Sequence, residues 1–489
     1  MKRPNILLIV TDQQRGDCLG SAGHPELWTP NLDGWADQGI RFSQGYTPCP
    51  ICVAARRALI TGRSPATEGN LSNADLRIPD STPLMPRLFQ QAGYQTFSIG
   101  RNMHQYPVHK RYGFEVRSHN PFEEYYSTAH QELRGGQATG AHQPGLVDPP
   151  KSVHYPHMLE HGISTNGYGH RTWPYPETYH ETVFATNKAI ESLDRRDHDD
   201  PFFMYLGFTA PHPPLLPPAC YFDRYRRRHL TPPVRGNWNG RIIPPPRPGV
   251  GKGFMKEDPE YIQETLAAYY GLINHIDDQL ARLMFRLQKE NEPTLVLFTS
   301  DHGEQLGDHG LWSKCRPFQG SVHIPFLMFS VGTQDLNVGK QSAVPVSLID
   351  ILPTLLELSD LAIPTSLEGR SLVPLFSEPS GPHWGRPCIH TEQCAHCEHG
   401  GFHAAMDGRH KYIWYSRGGE ELLFDLEKDP RETTDQLENP EYAAARQRLS
   451  TFLVQHLAGR PEGFSDGAKL IPGCKHGPLV PWPEIRELN

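Results

Sequence analysis

Apolar residues fall in short blocks along the chain, with polar and Gly/Pro-rich stretches between them. Ile6–Val10, Thr96–Ile99, Phe202–Phe208, Leu295–Thr299 and Phe326–Phe329 are runs of strand length. Their largely continuous apolar character predicts strands covered on both faces. Between the third and fourth blocks the period changes. Over Tyr261–Lys289, Ile262, Leu266, Ile273, Ile276, Leu280, Leu283 and Leu287 recur at helical spacing. Alternating strands and helices predict an α/β fold, a sheet with helices on both faces. Polar residues cluster just past strand ends: Asp12 and Gln13 after the first, Asp301 and His302 after Leu295–Thr299. Carboxyl ends of parallel strands are where such folds bind ligands.

The pattern weakens in three places. Ser118–Glu177 is rich in His, Gly and Tyr with little periodicity, and a stretch of that length in an enzyme is functional or surface decoration. Thr231–Gly253 is Pro/Gly-rich and reads as an extended surface connection. A boundary is expected near Phe376–Pro387, dividing a catalytic domain, 1–376, from a smaller α+β C-terminal subdomain, 377–489. Within the latter, "HKYIWYSRGGEELLFDL" predicts two strands joined by a Gly-Gly turn, and "PEYAAARQRLSTFLVQHL" a helix. No internal repeat is visible.

Composition narrows the classes. The 489 residues are 37% hydrophobic, enough for a large core. Glycine (44) and proline (47) are numerous but spread out, so they indicate long loops and not a disordered tract. Lys+Arg, 47, against Asp+Glu, 55, gives a formal charge of -8, which argues against a general nucleic-acid binder. No apolar run approaches the length of a membrane span. Ile6–Val10 is too short for a signal-peptide core, so a cytoplasmic location is expected, periplasmic only if a leader was removed. Nine scattered cysteines do not suggest a secreted disulfide framework.

Asp12, Gln13, Asp301 and His302 are candidate ligands for a hard divalent cation, and the histidine nitrogen widens the choice towards manganese or zinc. The competing reading is ordinary capping and turn formation by the aspartates. In "TPCPICVAARRALITGR", Cys49 and Cys52 form a Cys-x-x-Cys pair but lack the second half of a zinc site. "CAHCEHGG", Cys394–Gly401, is a second such pair, with His396 and His399; it suits a small metal site or a polar loop near a pocket mouth.

The ordered set "PNILLIVTDQQ", "CVAARRALITGR", "GYQTFSIGRNMH", "FTAPHPPLLPP", "LFTSDHGEQLGDHGLWSK" and "DILPTLLEL" resembles the sulfatase family of the alkaline-phosphatase-like superfamily, from about Pro4 to Phe376. "LFDLEKDPRETTD" extends the resemblance towards the C-terminus. It implies a large central mixed, mostly parallel sheet flanked by helices, and hydrolysis of sulfate esters, aryl or carbohydrate. Cys52 matches the residue that a formylglycine-generating enzyme converts to formylglycine, whose hydrate is the nucleophile. The metal ligands are then Asp12, Gln13, Asp301 and His302, with Cys52 beside the ion; calcium is expected first, manganese or zinc as alternatives. Arg56 would hold the diol, and His104 take its proton in the elimination step. His212 and Lys314 would serve sulfate and leaving group, and Arg101 and Asn73 would bind substrate.

Two departures stand out. Ala54 and Ala55 replace the family's proline and serine, and that proline helps the modifying enzyme recognise its substrate. Gly100-Arg101-Asn102-Met103-His104 is one residue longer than the family's Gly-Lys-x-His, with Arg in place of Lys. Gln13, where many sulfatases carry a second Asp, resembles the branch of choline sulfatases, phosphonate monoester hydrolases and some bacterial arylsulfatases. The alternatives are a phosphonate monoester or phosphodiester hydrolase on the same site, and an inactive binding homologue. The Pro-rich tail "CKHGPLVPWPEIRELN" suits packing on a second copy, so the oligomeric state stays open.

Overall fold

The computed structural model describes residues 3–73, 77–104, 107, 110–119, 167–242, 258–332, 336, 339–380, 384–393 and 401–473. Its centre is an eight-stranded sheet in the order β5-β4-β6-β1-β7-β8-β2-β9. In chain order these are β1 (Asn5–Asp12), β2 (Ile40–Phe42), β4 (Gln95–Gly100), β5 (Val116–His119), β6 (Phe202–Pro211), β7 (Thr294–Ser300), β8 (Phe326–Val331) and β9 (Lys340–Ser342). β3 (Gly45–Tyr46) pairs apart, with β10 (Val346–Ser347). β5, β4, β6, β1 and β7 are mutually parallel, whereas β8 runs antiparallel to both β7 and β2. The expected mixed, mostly parallel sheet is the one observed, and each of the five apolar blocks lies within a strand.

The central strands are apolar throughout because both faces are covered. Leu7 and Ile9 of β1 join a core with the helices Pro30–Ala36, Glu181–Arg195, Ala219–Arg226 and Pro259–Glu290. Ile6, Leu8 and Val10 face the opposite core, with Cys52–Thr61, Met85–Gln91 and Ile351–Leu358. The long helix exceeds its apolar period at both ends. Asp258 caps it by accepting from Glu260 N, Pro259 suits the first turn, and Asn291 ends it at φ 53.

A second, four-stranded antiparallel sheet is built from β11 (Ile389–Gln393), β12 (Phe402–Met406), β13 (His410–Tyr415) and β14 (Glu421–Asp425). Gly419, at φ 81, closes the turn between β13 and β14, and its N–H reaches Tyr415 O. One face packs on Leu449, Leu453 and Leu457, in and just past the helix Ala443–His456. The other packs on Trp238, Leu311 and Phe318 of the larger part. Among the described residues no helix is long and apolar enough to cross a membrane.

Candidate active site

Four parallel strands deliver their carboxyl ends to one place. The β1–β6 register shifts between Val10 and Asp12, and Gln13 follows at φ 71. Positive φ in a non-glycine residue carries strain of the kind concentrated at functional sites. Asp301 and His302 directly follow β7, Arg101 follows β4, and His212 follows β6. β4 and β6 approach so closely that a Cβ on Gly207 would stand 2.1 Å from Arg101 O. Cys52 enters at the first turn of the buried helix Cys52–Thr61.

Arg56, one turn further on, ties these ends together. Its Nε donates to Asp301 Oδ2 at 2.9 Å and its Nη2 to Asp12 Oδ2 at 3.1 Å. Its Nη1 reaches Asn102 O at 3.3 Å and the Tyr205 hydroxyl. Arg101 Nε also bonds Asp12 Oδ2, at 3.1 Å. The two Oδ1 atoms face the other way. His302 Nε2 lies 3.8 Å from Asp12 Oδ1, 3.6 Å from Asp301 Oδ1 and 3.1 Å from Cys52 Sγ. Asp12, Cys52, Asp301 and His302 thus converge as potential metal ligands.

The donor set fits a divalent cation. Two carboxylates and one imidazole meet, and Gln13 stands alongside, its N–H donating to Asp301 Oδ1 at 3.1 Å. His302 Nδ1 lies 3.0 Å from Gly303 O; donating there, it leaves Nε2 to face the cluster, as second-shell bonds do for ligating histidines. Burial opposes a charge on His302, but Asp301 and Cys52 raise its pKa above the ordinary value. The cluster therefore favours positive charge at this point, proton or metal. Burial would raise the Asp12 carboxyl; Arg101, then His212, Arg56 and Lys314, hold it well below the usual range. Burial and Asp12 push the Cys52 thiol up, while Lys314 and the bonded His302 bring it below its ordinary value.

The remaining residues ring this cluster. Lys314 Nζ donates to Gln13 Oε1 at 2.7 Å, and Cys52, Asp12 and Asp301 raise its pKa against burial. His212 Nδ1 lies 2.7 Å from Pro213 O; burial, then Lys314, keeps the ring neutral. Burial, then Arg101 and Arg56, holds His104 well below its ordinary pKa, and its buried Nε2 has no hydrogen-bond partner among the described residues. Arg101, Arg56 and Lys314 balance Asp12, Asp301 and Glu304, which lies behind Gln13, so a divalent cation at the cluster would leave an excess of positive charge suited to an anion. Asn73 lies beside the nucleophile position: its Oδ1 accepts from Val53 N at 3.1 Å and so caps the helix carrying Cys52.

Three residues of the network were not anticipated: Tyr205, Tyr168 and Glu304. Only Glu304 had a local signal, directly following Asp301-His302-Gly303. Cys49 packs with Ile51 and Ala54 and lies outside the cluster. Cys394, His396, Cys397 and His399 lie outside the described residues. At the adjoining strands, His390 Nε2 and His403 Nδ1 are 3.1 Å apart, with ring centroids 5.4 Å apart and planes within 9°. That is a head-on imidazole hydrogen bond. Arg460 Nη1 holds neighbouring Glu392 at 2.6 Å, so this group is a bonded polar core.

A sequence model of the family described as Sulfatase matches residues 4–361, and one described as N-sulphoglucosamine sulphohydrolase, C-terminal, matches residues 307–458. The chain is 35% identical over 486 residues to an arylsulfatase of Clostridium perfringens, covering 96% of this chain and 98% of that protein. It is 28% identical over 468 residues to a choline-sulfatase of Rhizobium meliloti, covering 92% and 85%. The phosphonate monoester hydrolase of Agrobacterium radiobacter superposes with a TM-score of 0.74 at 24% identity, covering 91% and 94%, a likeness of fold.

Proposed function

The chain belongs to the sulfatase family and is a sulfuric ester hydrolase, and from that premise we propose that it cleaves aryl sulfates or sulfated carbohydrates through a formylglycine made from Cys52. The observation that supports this most is the convergence of Cys52 Sγ with His302, Asp12 and Asp301 beneath Arg56, Arg101 and Lys314. Conversion of Cys52 requires a formylglycine-generating enzyme during maturation.

As its hydrate, formylglycine supplies a geminal diol: one oxygen attacks sulfur as the S–O bond to the alcohol breaks, and the second hydroxyl lets sulfate leave as the carbonyl re-forms. Asp12, Gln13, Asp301 and His302 would hold a divalent cation, calcium by this oxygen-rich set, whose charge would acidify the attacking hydroxyl and neutralise the sulfate oxygens. Arg56 pairs with both carboxylates and orients them. Lys314, charged and half-buried near the nucleophile, stabilises negative charge on the departing oxygen. His212, neutral in the free protein, gains a proton as the anionic substrate binds and passes it from Nε2 to the alcohol. His104, neutral with Nε2 open, accepts the proton of the second hydroxyl. Arg101 fixes Asp12 and presents charge to sulfate.

Parallel assays test the electrophile. Para-nitrophenyl sulfate and a panel of sulfated sugars should be turned over with higher kcat/KM than a phenyl phosphonate monoester or a phosphodiester. Preference for the phosphorus esters would overturn the assignment.

A further inference from the structure

Gln13 can turn either an oxygen or an NH2 group towards the carboxylate cluster, and only the oxygen suits a cation. Its surroundings decide which. Nε2 lies 3.3 Å from the Tyr168 hydroxyl and in closer contact with Glu304 Oε2. Glu304, fully buried, receives only donors. Leu306 N, at 3.0 Å, and Ser313 N, at 2.5 Å, reach Oε1; the Tyr168 hydroxyl reaches Oε2 at 2.7 Å. Since the Tyr168 proton goes to Glu304, the Tyr168 oxygen is free to accept from Gln13. Both amide hydrogens of Gln13 are then placed, and Oε1 is left on the other side, where it accepts from Lys314 Nζ at 2.7 Å. Tyr269 completes the grip by donating to Gln13 O at 2.6 Å.

We propose that Glu304, with Tyr168, is a positioning residue that locks the Gln13 amide with its oxygen presented to the cation site. Through Leu306 N and Ser313 N it also sets the loop that carries Lys314. This rests on the reading of the cluster as a divalent-cation site. An acceptor-only carboxylate is the essential feature. With glutamine at 304, the backbone donors keep its oxygen, and its NH2 meets the NH2 of Gln13. Gln13 relieves that conflict by turning over, which presents hydrogens to the cation and to Lys314. A reciprocal exchange restores the pattern: the NH2 at 304 donates to a carboxylate at 13, whose other oxygen faces the cluster.

The test is calorimetric titration of the metal-stripped full-length protein with calcium chloride and manganese chloride. E304Q should bind roughly 10- to 100-fold more weakly than the parent, as loss of an outer-shell partner does elsewhere. Q13E/E304Q should recover most of the lost affinity. Y168F, which deletes one hydroxyl and spares the fold, should show a smaller loss in the same direction. Parent-like affinity in E304Q or Y168F, or a double variant binding no more tightly than E304Q, would overturn the proposal alone. A parent that binds neither ion would overturn the cation reading, and this one with it.

Discussion

Arg56 has no exposed surface, and its guanidinium is divided among Asp12, Asp301, Tyr205 and the carbonyl of Asn102. Removing it leaves the buried Asp301 without its arginine and Asp12 with Arg101 alone, so Arg56→Ala should cost about 3–5 kcal/mol by chemical denaturation; a loss under ~1 kcal/mol would contradict this account of the site. Lys314→Ala should lower kcat by roughly 10²–10³, most with poor leaving groups, and a change confined to KM would remove its assigned role. His104→Ala should spare the first step and slow the second by about 10²–10⁴. A burst of alcohol followed by slow turnover is the expected trace. Residues named by a motif were legible because their neighbours in sequence identify them. Tyr205 was not, because it reads as one more apolar position in a covered strand, and its role appears only when β6 lies beside Arg56.

The helix Cys52–Thr61 is buried on every side, both arginines included. Ala54 and Ala55 have no exposed surface, and Ala54 packs between Cys49 and Ile51. Small residues are what this packing accepts, so the departure from the family pattern leaves the placement of Cys52 intact. Asn73→Ala removes the cap on Val53 N and should destabilise by about 0.5–1.5 kcal/mol, with raised hydrogen exchange in the first turn. Gly207→Ala forces a Cβ to within 2.1 Å of Arg101 O. It should cost about 1–3 kcal/mol and weaken substrate binding through displaced Arg101; wild-type KM would show that the close approach is immaterial. The long strands and the helix Pro259–Glu290 were readable from apolar blocks and period. β2, β3, β9 and β10 were not, because two or three residues carry no period and are held by their partners alone.

At the scale of the whole molecule, the two sheets meet through Trp238 and Phe318 and through Gln319, which bonds a buried ion pair of the C-terminal part. Lys411 Nζ bonds Glu432 Oε1 at 2.8 Å, and Glu432 Oε2 accepts from Gln319 N at 2.6 Å. The α+β character of the C-terminal part was legible; this docking was not, since its contacts join residues about ninety or more apart. Buried histidines set the response to acid. Burial lowers the pKa of His180, His275, His323 and His390, and brings His309 to about 4. The unfolded chain binds protons at these sites below about pH 6.5 while the folded chain does not, so stability falls as pH drops through that range. Burial raises Glu181 to about 7 and Asp277 to about 6, and lifts Glu68, Glu392 and Glu432 above the ordinary value, which opposes the trend; His24, His104 and His212, lowered by burial like the others, add to it. The urea midpoint should be lower at pH 5 than at pH 7.5; an equal or higher midpoint would contradict it. The central claim is that Cys52 becomes the nucleophile, and the mass of the peptide containing it, from protein made with a formylglycine-generating enzyme, tests that directly. The account predicts a mass about 18 Da below that of the thiol form, with reactivity towards hydrazides; an unshifted, fully alkylatable thiol would contradict it.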